Sequence, residues 1–423
     1  MFTFRNFSFV GWLLLAAAFS TWAQQTLTWE QVRVKFEQNN PTLLADQINI
    51  DESRAQEITA YLRPNPTFSL TVDGTQIAPN NGVWKPFRGT YESPGISYLH
   101  ERRHKRELRL ESQKKGTLIA ESNHADMTRT LLFNLRSAFV SALQAKAVLQ
   151  LAKDNLAYYD RLLQISRDRF SAGDIAQIDL DRLELQRSQY ESDFQTAGEN
   201  LETAKIQLLT LLNFRTPLDQ FDVTGPYDFN DALLPRDEFR KIALDARPDL
   251  KAAMEAVDKA QTDHKLAIAN GSTDPTFGGW ITHNSSNNNP FGINTLGVSV
   301  SFPLRIFDRN QGEKLRTKLD ITRNQRLRDA AEATVLSDVD SSYATVDSDL
   351  VLLRPYKAKY LQLSVRVRDT ITFSYEHGGA SLLDLLNAQS EYRSVQLNYA
   401  NLLGSYLTAA AQLNEAVGRE VIP

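Results

Sequence analysis

The chain has 423 residues, a formal net charge of −4 and no cysteine. The mild charge gives no nucleic-acid signal, and the missing cysteines exclude disulfides, thiolate metal sites and a lipid-modified cysteine behind a leader. The length suits two or three globular domains, yet the helical patterns are too long for any compact core.

Residues 1–23 read as a secretory signal peptide. Arg5 supplies the positive start, Val10–Phe19 the apolar run and Thr21-Trp22-Ala23 the small-residue cleavage site. About ten apolar residues would cross only about half of the roughly 30 Å hydrocarbon core, which argues against a membrane anchor. An exported chain of this size without disulfides fits a bacterial envelope.

The mature chain opens on Thr28–Val32. Asn40-Pro41 then starts a helical pattern that runs to about residue 63, and Pro66-Thr67-Phe68 opens a run that alternates like a strand. The second half repeats this order with Pro235–Phe239, Arg247-Pro248, a helix to about residue 270, and Pro275-Thr276-Phe277. Pro41 and Pro248 both suit the first turn of a helix. The copies are offset by about 207 residues at these prolines, about 209 at Pro-Thr-Phe and about 205 at two glycines described below. An offset held so closely indicates duplication, with repeats at 24–230 and 231–423.

Each half then carries a strand pair, about 66–100 and about 275–304. Apolar residues alternate with polar ones at Phe68/Leu70/Val72 and at Val298/Val300/Phe302. A loop rich in Gly, Pro and Asn joins the first pair, and Asn284–Pro290 follows the first strand of the second. Two hairpins in an otherwise helical chain cannot make a stable sheet alone, so other copies of the chain are the expected partners for their edges.

Beyond each strand pair lies a very long helical pattern, about 102–170 and about 308–374. Return patterns follow at about 174–213 and about 380–417. The last repeats at 3,4 spacing through Tyr392, Val395, Tyr399, Leu402, Tyr406, Ala409, Leu413 and Ala416. Val339, Tyr343, Val346, Leu350 and Leu353 do the same in its partner, and both read as coiled-coil seams. Pro355 should kink that partner.

The two breaks between descending and returning patterns are copies of each other. In each, an aromatic precedes a Gly by three residues and an Asp follows it by six: Phe170, Gly173, Asp179 and Tyr375, Gly378, Asp384. A Gly can end a helix in the left-handed conformation at little steric cost, so both breaks read as hairpin tips. At about 1.5 Å per residue, about 68 residues descend ~100 Å and the return helix regains about 60 Å. The ~40 Å shortfall is close to the length of the roughly 23-residue helix that enters each hairpin. Each half therefore makes one full-length helix beside two shorter ones stacked end to end. The remaining segment, about 214–247, meets both termini at mid-height.

This repeat resembles the TolC-like outer-membrane efflux proteins, and within them the CzcC-like branch. The resemblance covers essentially the whole mature chain. It is carried by Tyr375-Glu376, Gly378, Leu382–Leu386 and Ala388-Gln389, by Pro303–Gly312, and by the ending Leu413–Gly418. It implies a mainly α fold with a β-barrel, in which tandem long coiled-coil hairpins plus two β-hairpins form a homotrimer. Three chains would give a twelve-stranded barrel in outer-membrane lipid above a periplasmic α-helical tunnel closed at its tips. It also implies docking to a periplasmic adaptor (membrane fusion protein) and an inner-membrane pump of the RND type.

The resemblance places Tyr375, Asp384 and Asp179 at the periplasmic gate. Asp384 from three chains would form an acidic ring, although an Asp near a helix N-terminus also suits simple capping, and Asp179 fits capping nearly as well. Asn387 stands where better-known members carry a second acidic ring, and Ala380 where they carry an Arg. A salt-bridge lock is therefore not expected, and packing and hydrogen bonds from Tyr375 are expected to hold the closed state instead. The adaptor is expected to meet Phe170, Ser171, Ala172, Gly173, Glu376, His377, Gly378 and Gly379.

Other constellations read blandly. The basic run Glu101–Arg109 suits a solvated junction or lipid headgroups, and lacks the interleaved aromatics of a nucleic-acid surface. His100 and His104 share a face only if a helix already starts there, and His377 is a turn residue, so no metal site is expected. No phosphate loop, paired-His motif or nucleophile elbow is present, so neither catalysis nor a cofactor is expected. The reading is a passive export duct driven by its partners. Its rival is a soluble periplasmic adaptor or structural coiled coil without a pore.

Overall fold

The computed structural model describes residues 25–284 and 293–422. The expected signal peptide and most of Asn284–Pro290 lie outside the described residues.

After β1 (Gln25–Leu27), the short helix α1 (Trp29–Asn39) leads into α2 (Pro41–Tyr61). Asn40 both ends α1 and caps α2, its Oδ1 accepting from Leu43 N at 3.0 Å, with Pro41 pre-set for the first turn. Strands β2 (Thr67–Asp73) and β3 (Tyr91–Leu99) follow, then α3 (Lys105–Ser171), α4 (Gln177–Leu211) and β4 (Phe221–Val223). The order recurs with α5 (Arg236–Ala246), α6 (Pro248–Asn270), β5 (Thr276–Asn284) and β6 (Asn294–Ser301). The second descent is α7 (Gln311–Pro355) and α8 (Leu361–Glu376), and the return is α9 (Leu382–Val417).

The four long strands form one antiparallel sheet in the order β2-β3-β5-β6. The middle pairing, β3 with β5, joins the two repeats. Alternation gives the sheet two unlike faces. Phe68, Leu70 and Val72 of β2 share a face with Ile96 of β3, Phe277 and Ile281 of β5, and Leu296, Val298 and Val300 of β6. That apolar face is bare, with Phe68 72% and Val298 79% exposed. The opposite face presents Ser69, Thr71, Ser93, Ser97, Thr282 and Ser299, with the Ser93 and Thr282 hydroxyls 3.1 Å apart. An apolar-out, hydroxyl-in sheet inverts the usual arrangement for water and matches a strand set facing lipid.

The helices continue the sheet's order. Within this layer α2 packs on α3, α3 on α6 and α6 on α7. The 67-residue α3 runs beside the 21-residue α2 and the 35-residue α4, so one full-length helix does flank two shorter ones. In the second repeat, α7 and α8 run beside α6 and α9. Pro355 does disturb the helix. It ends α7, and a single wide π turn, Tyr356–Tyr360, absorbs the lost N–H donor before the helix resumes.

Buried side chains concentrate at mid-height and along the seams. Val339, Val346, Leu350 and Leu353 of α7 meet Leu403, Tyr406, Ala409 and Leu413 of α9. Each fully buried aliphatic there contributes about 1.5–3 kcal/mol. Phe239 and Ile422 join this cluster, while Leu27, Phe36, Phe221 and Val223 form its counterpart on α3 and α4. Parallel pairing of β1 with β4 ties the start of the described chain to residues 221–223. The far end is tied by Asn414, whose Oδ1 accepts from Val421 N and Ile422 N at 2.8 Å.

The strand-to-helix junction uses up much of the basic run. Lys105 is buried and pairs with Asp274 at 2.6 Å, Arg109 pairs with Glu101, and the Arg106 guanidinium lies 4.2 Å from the Tyr61 ring centroid. The helix starts at Lys105, with His104 left-handed at φ +54°, so His100 and His104 do not share a helical face.

Candidate functional site at the hairpin tips

Each descending helix ends on a left-handed glycine, with φ of +84° at Gly173 and +77° at Gly378. At the first tip Gly173 N donates to Phe170 O at 3.0 Å and Asp174 N to Arg169 O at 2.9 Å. At the second, Gly378 N donates to Tyr375 O at 3.1 Å and Gly379 N to Ser374 O at 2.7 Å. These bonds satisfy carbonyls that a helix C-terminus otherwise leaves without partners. An added Cβ on either left-handed glycine would meet no neighbour, so the backbone angle alone selects the residue.

The tips differ in what surrounds them. Phe170, Ser171, Ala172 and Gly173 are exposed, as are His377, Gly378 and Gly379, while Glu376 is half-buried. The His377 ring lies 4.1 Å from that of Phe373, and its Nδ1 is 2.8 Å from the Phe373 carbonyl. Tyr375, which takes the place of Phe170 in the repeat, is 4% exposed. It packs with Tyr159, Leu162, Leu163, Leu180, Leu183, Tyr190 and Leu385, a cluster drawn from both hairpins. The Tyr159 and Tyr190 rings stack at 4.6 Å. Burial pushes both phenols above their ordinary value.

Tyr375 packs as expected, but its side chain makes no hydrogen bond within the chain. Its hydroxyl is buried without a hydrogen-bond partner, and so is that of Tyr159. The polar contact comes instead from its main chain: Arg169 Nη1 donates to Tyr375 O at 2.8 Å, and the guanidinium lies 5.0 Å from the ring centroid. Polar links nearest the tips also include Tyr158 Oη to Thr372 Oγ1 at 2.9 Å and Arg393 to Asp193 at 2.6 Å.

Asp384 is exposed and caps α9. It accepts from Ser381 N at 3.1 Å and Ser381 Oγ at 2.7 Å, and its own N–H donates to Ser381 Oγ at 3.2 Å. The Ser381 hydroxyl and amide hold its carboxyl below the ordinary carboxylate value. Asp179 sits half-buried in the first turn of α4, and Asn387 is exposed three residues beyond Asp384. Within one chain Tyr375 lies in the tip cluster, while Asp384 is committed to its own helix end.

Sequence reasoning missed Arg169. The repeat pairs it with Ser374, so a difference between the copies was the available signal. Among the described residues no group of acidic and histidine side chains is arranged to hold a metal ion, and no helix is long and apolar enough to cross a membrane. The second statement concerns helices only.

The profile of the family described as outer membrane efflux protein matches residues 32–213 and 240–419. The chain belongs to this family. The two matched stretches fall on the two halves of the tandem repeat. Outer membrane protein TolC of Escherichia coli K12 is 23% identical over 72% of this chain, and the match spans 65% of that protein's length. The cobalt-zinc-cadmium resistance protein CzcC of Cupriavidus metallidurans is 22% identical over 90% of this chain and 87% of its own. Among solved structures, CusC superposes with a TM-score of 0.78 at 18% identity, covering 92% of each chain. The open state of the MtrE outer membrane channel of Neisseria gonorrhoeae superposes at 0.73, again at 18% identity, over 93% of this chain and 89% of its own. The fold is thus that of outer-membrane channels with a helical tunnel, and the family is one of transport ducts, not enzymes. This outer-membrane efflux protein accordingly resides in the outer membrane with its helices in the periplasm.

Proposed function

We propose that three copies of this efflux protein close into a passive export duct. Four strands from each copy would make a twelve-stranded barrel, and the helices a periplasmic tunnel closed at its tips. The observation that carries this reading is the sheet: among the described residues the outer edges of β2 and β6 are unpaired, and the face shared by Phe68 and Val298 is bare. Unpaired edges in lipid leave backbone groups unsatisfied, and closure is the remedy. The helix layer supports it, because its ends, α2 and α7, expose Leu44, Ile48 and Ile58 on one side and Leu315, Leu319 and Leu327 on the other.

The tips at Gly173 and Gly378 would meet a periplasmic adaptor, and an inner-membrane pump of the RND type would supply energy, as suits a member of a family of transport ducts. Asp384, Asp179, Tyr375 and Asn387 are the proposed gate positions, and the two repeats are taken to meet near residue 230. Divalent cations are the cargo to test first, because the relative CzcC is named for cobalt, zinc and cadmium resistance. Reconstitution into planar bilayers tests the duct. Discrete conductance steps from a detergent-extracted oligomer are expected. Recovery as a monomer in the soluble periplasmic fraction would favour the adaptor reading, which the bare apolar sheet face argues against.

A further inference from the structure

We propose that Arg169 is the positioning residue that latches the second hairpin to the first and so sets the resting state of the duct. The inference rests on the duct reading above.

Three observations converge on this side chain. Arg169 stands in the last turn of α3, and its Nη1 donates to the main-chain oxygen of Tyr375 on the other hairpin at 2.8 Å. That oxygen lies in the last turn of α8, among the carbonyls at the negative end of the helix, where a fixed cation is stabilising. The guanidinium also lies 5.0 Å from the Tyr375 ring centroid. A planar cation that donates to the carbonyl and contacts the ring of one residue fixes its position better than either contact alone.

The second observation is what Arg169 does not do. No carboxylate among the described residues forms an ion pair with it, so this particular contact draws on no acidic group. The third is that the Tyr375 hydroxyl is buried without a partner. Tyr375 therefore serves the contact through its backbone and its ring, and the phenol oxygen contributes nothing to it. With Ala380 and Asn387 at positions where better-known members carry charge, a salt-bridge lock is not expected, and this contact supplies a constraint from the opposite hairpin.

In the duct proposed above, a movement of the second hairpin's tip against the first would widen the entrance, and the Arg169 contact opposes that movement. A charge-assisted hydrogen bond partly shielded from water favours the latched state by about tenfold or more. Single-channel recording in planar bilayers is the test, using wild type, Arg169→Ala, Arg169→Lys, Tyr375→Phe and Tyr375→Leu. Arg169→Ala and Tyr375→Leu should each raise resting open probability about tenfold, by loss of the bond or of the platform. Tyr375→Phe keeps the ring and the carbonyl and should open less than Tyr375→Leu, and Arg169→Lys should fall between wild type and Arg169→Ala, because a point cation keeps the charge without the planar fork. The double variant Arg169→Ala/Tyr375→Leu should open no further than either single change, which general weakening of the tip would not produce.

Wild-type pores with an unchanged Arg169→Ala variant would overturn the latch and leave the duct standing. Equal effects of Tyr375→Phe and Tyr375→Leu, or additive effects in the double variant, would overturn the assignment to ring and carbonyl. Failure of wild type itself to conduct would instead remove the duct reading, and the latch with it.

Discussion

Gly173 and Gly378 turn each descending helix with a positive φ that other residues adopt only under strain. Replacing Gly378 by Ala should cost about 1 kcal/mol or slightly more, with no steric clash to add to it. The expected result is faster limited proteolysis at the second tip with mid-height protection unchanged. Asp384 makes a separate prediction. Its carboxyl titrates below the ordinary value of 3.8, so its capping stabilisation is complete above that value and is lost as pH falls through the lower folded one. Tip fraying followed by hydrogen exchange should therefore set in only on strong acidification, and Asp384→Ala should show it at neutral pH. If the three Asp384 side chains also line the entrance, the same variant weakens block by multivalent cations in bilayer recordings. Unchanged block would restrict Asp384 to capping. These positions were legible because a helix stop is local: a glycine, and an aspartate six residues on, suffice. Arg169 was not, because its acceptor is a main-chain oxygen 206 residues away, which no side-chain pattern encodes.

At the scale of elements, the seams followed from 3,4 spacing. Tyr406, Ala409, Leu413 and Ala416 are all buried against α7 or its neighbours, while Tyr392, Val395, Tyr399 and Leu402 nearer the tip are half-buried. The strands were legible from alternation at Phe68/Leu70/Val72, yet the pairing of β3 with β5 was not, because nothing local specifies which hairpin edges meet. Pro355 was legible as a disturbance and illegible in form, since kink and π turn both accommodate a missing donor. Within the sheet, a Cβ on Gly297 would overlap the Trp280 indole. Gly297→Ala should destabilise the barrel by about 1–3 kcal/mol, lowering the temperature of its heat-induced gel shift. Combined with Trp280→Ala the loss should be smaller than the sum of the two, as expected for residues in contact.

For the whole molecule, strands and helices share one open order, β2-β3-β5-β6 above α2-α3-α6-α7, and both layers end in bare apolar edges. Length bookkeeping foresaw the stacked short helices, because helical rise is fixed and the hairpin must return to the membrane. How many copies close the ring lies beyond one chain's physics, since edge chemistry asks only that closure occur. Cross-linking asks the molecule directly, and the absence of native cysteines makes it clean. A single cysteine on β2, at Ser69, is combined in turn with one at each of residues 296–300 on β6. In one chain these strands lie at opposite edges of the sheet, so an engineered disulfide between them joins neighbouring copies. The account predicts that, at one register, oxidation of the membrane-embedded protein gives a denaturant-resistant ladder that stops at three chains. Absence of any cross-link at every register, or a ladder stopping at another number, would contradict it.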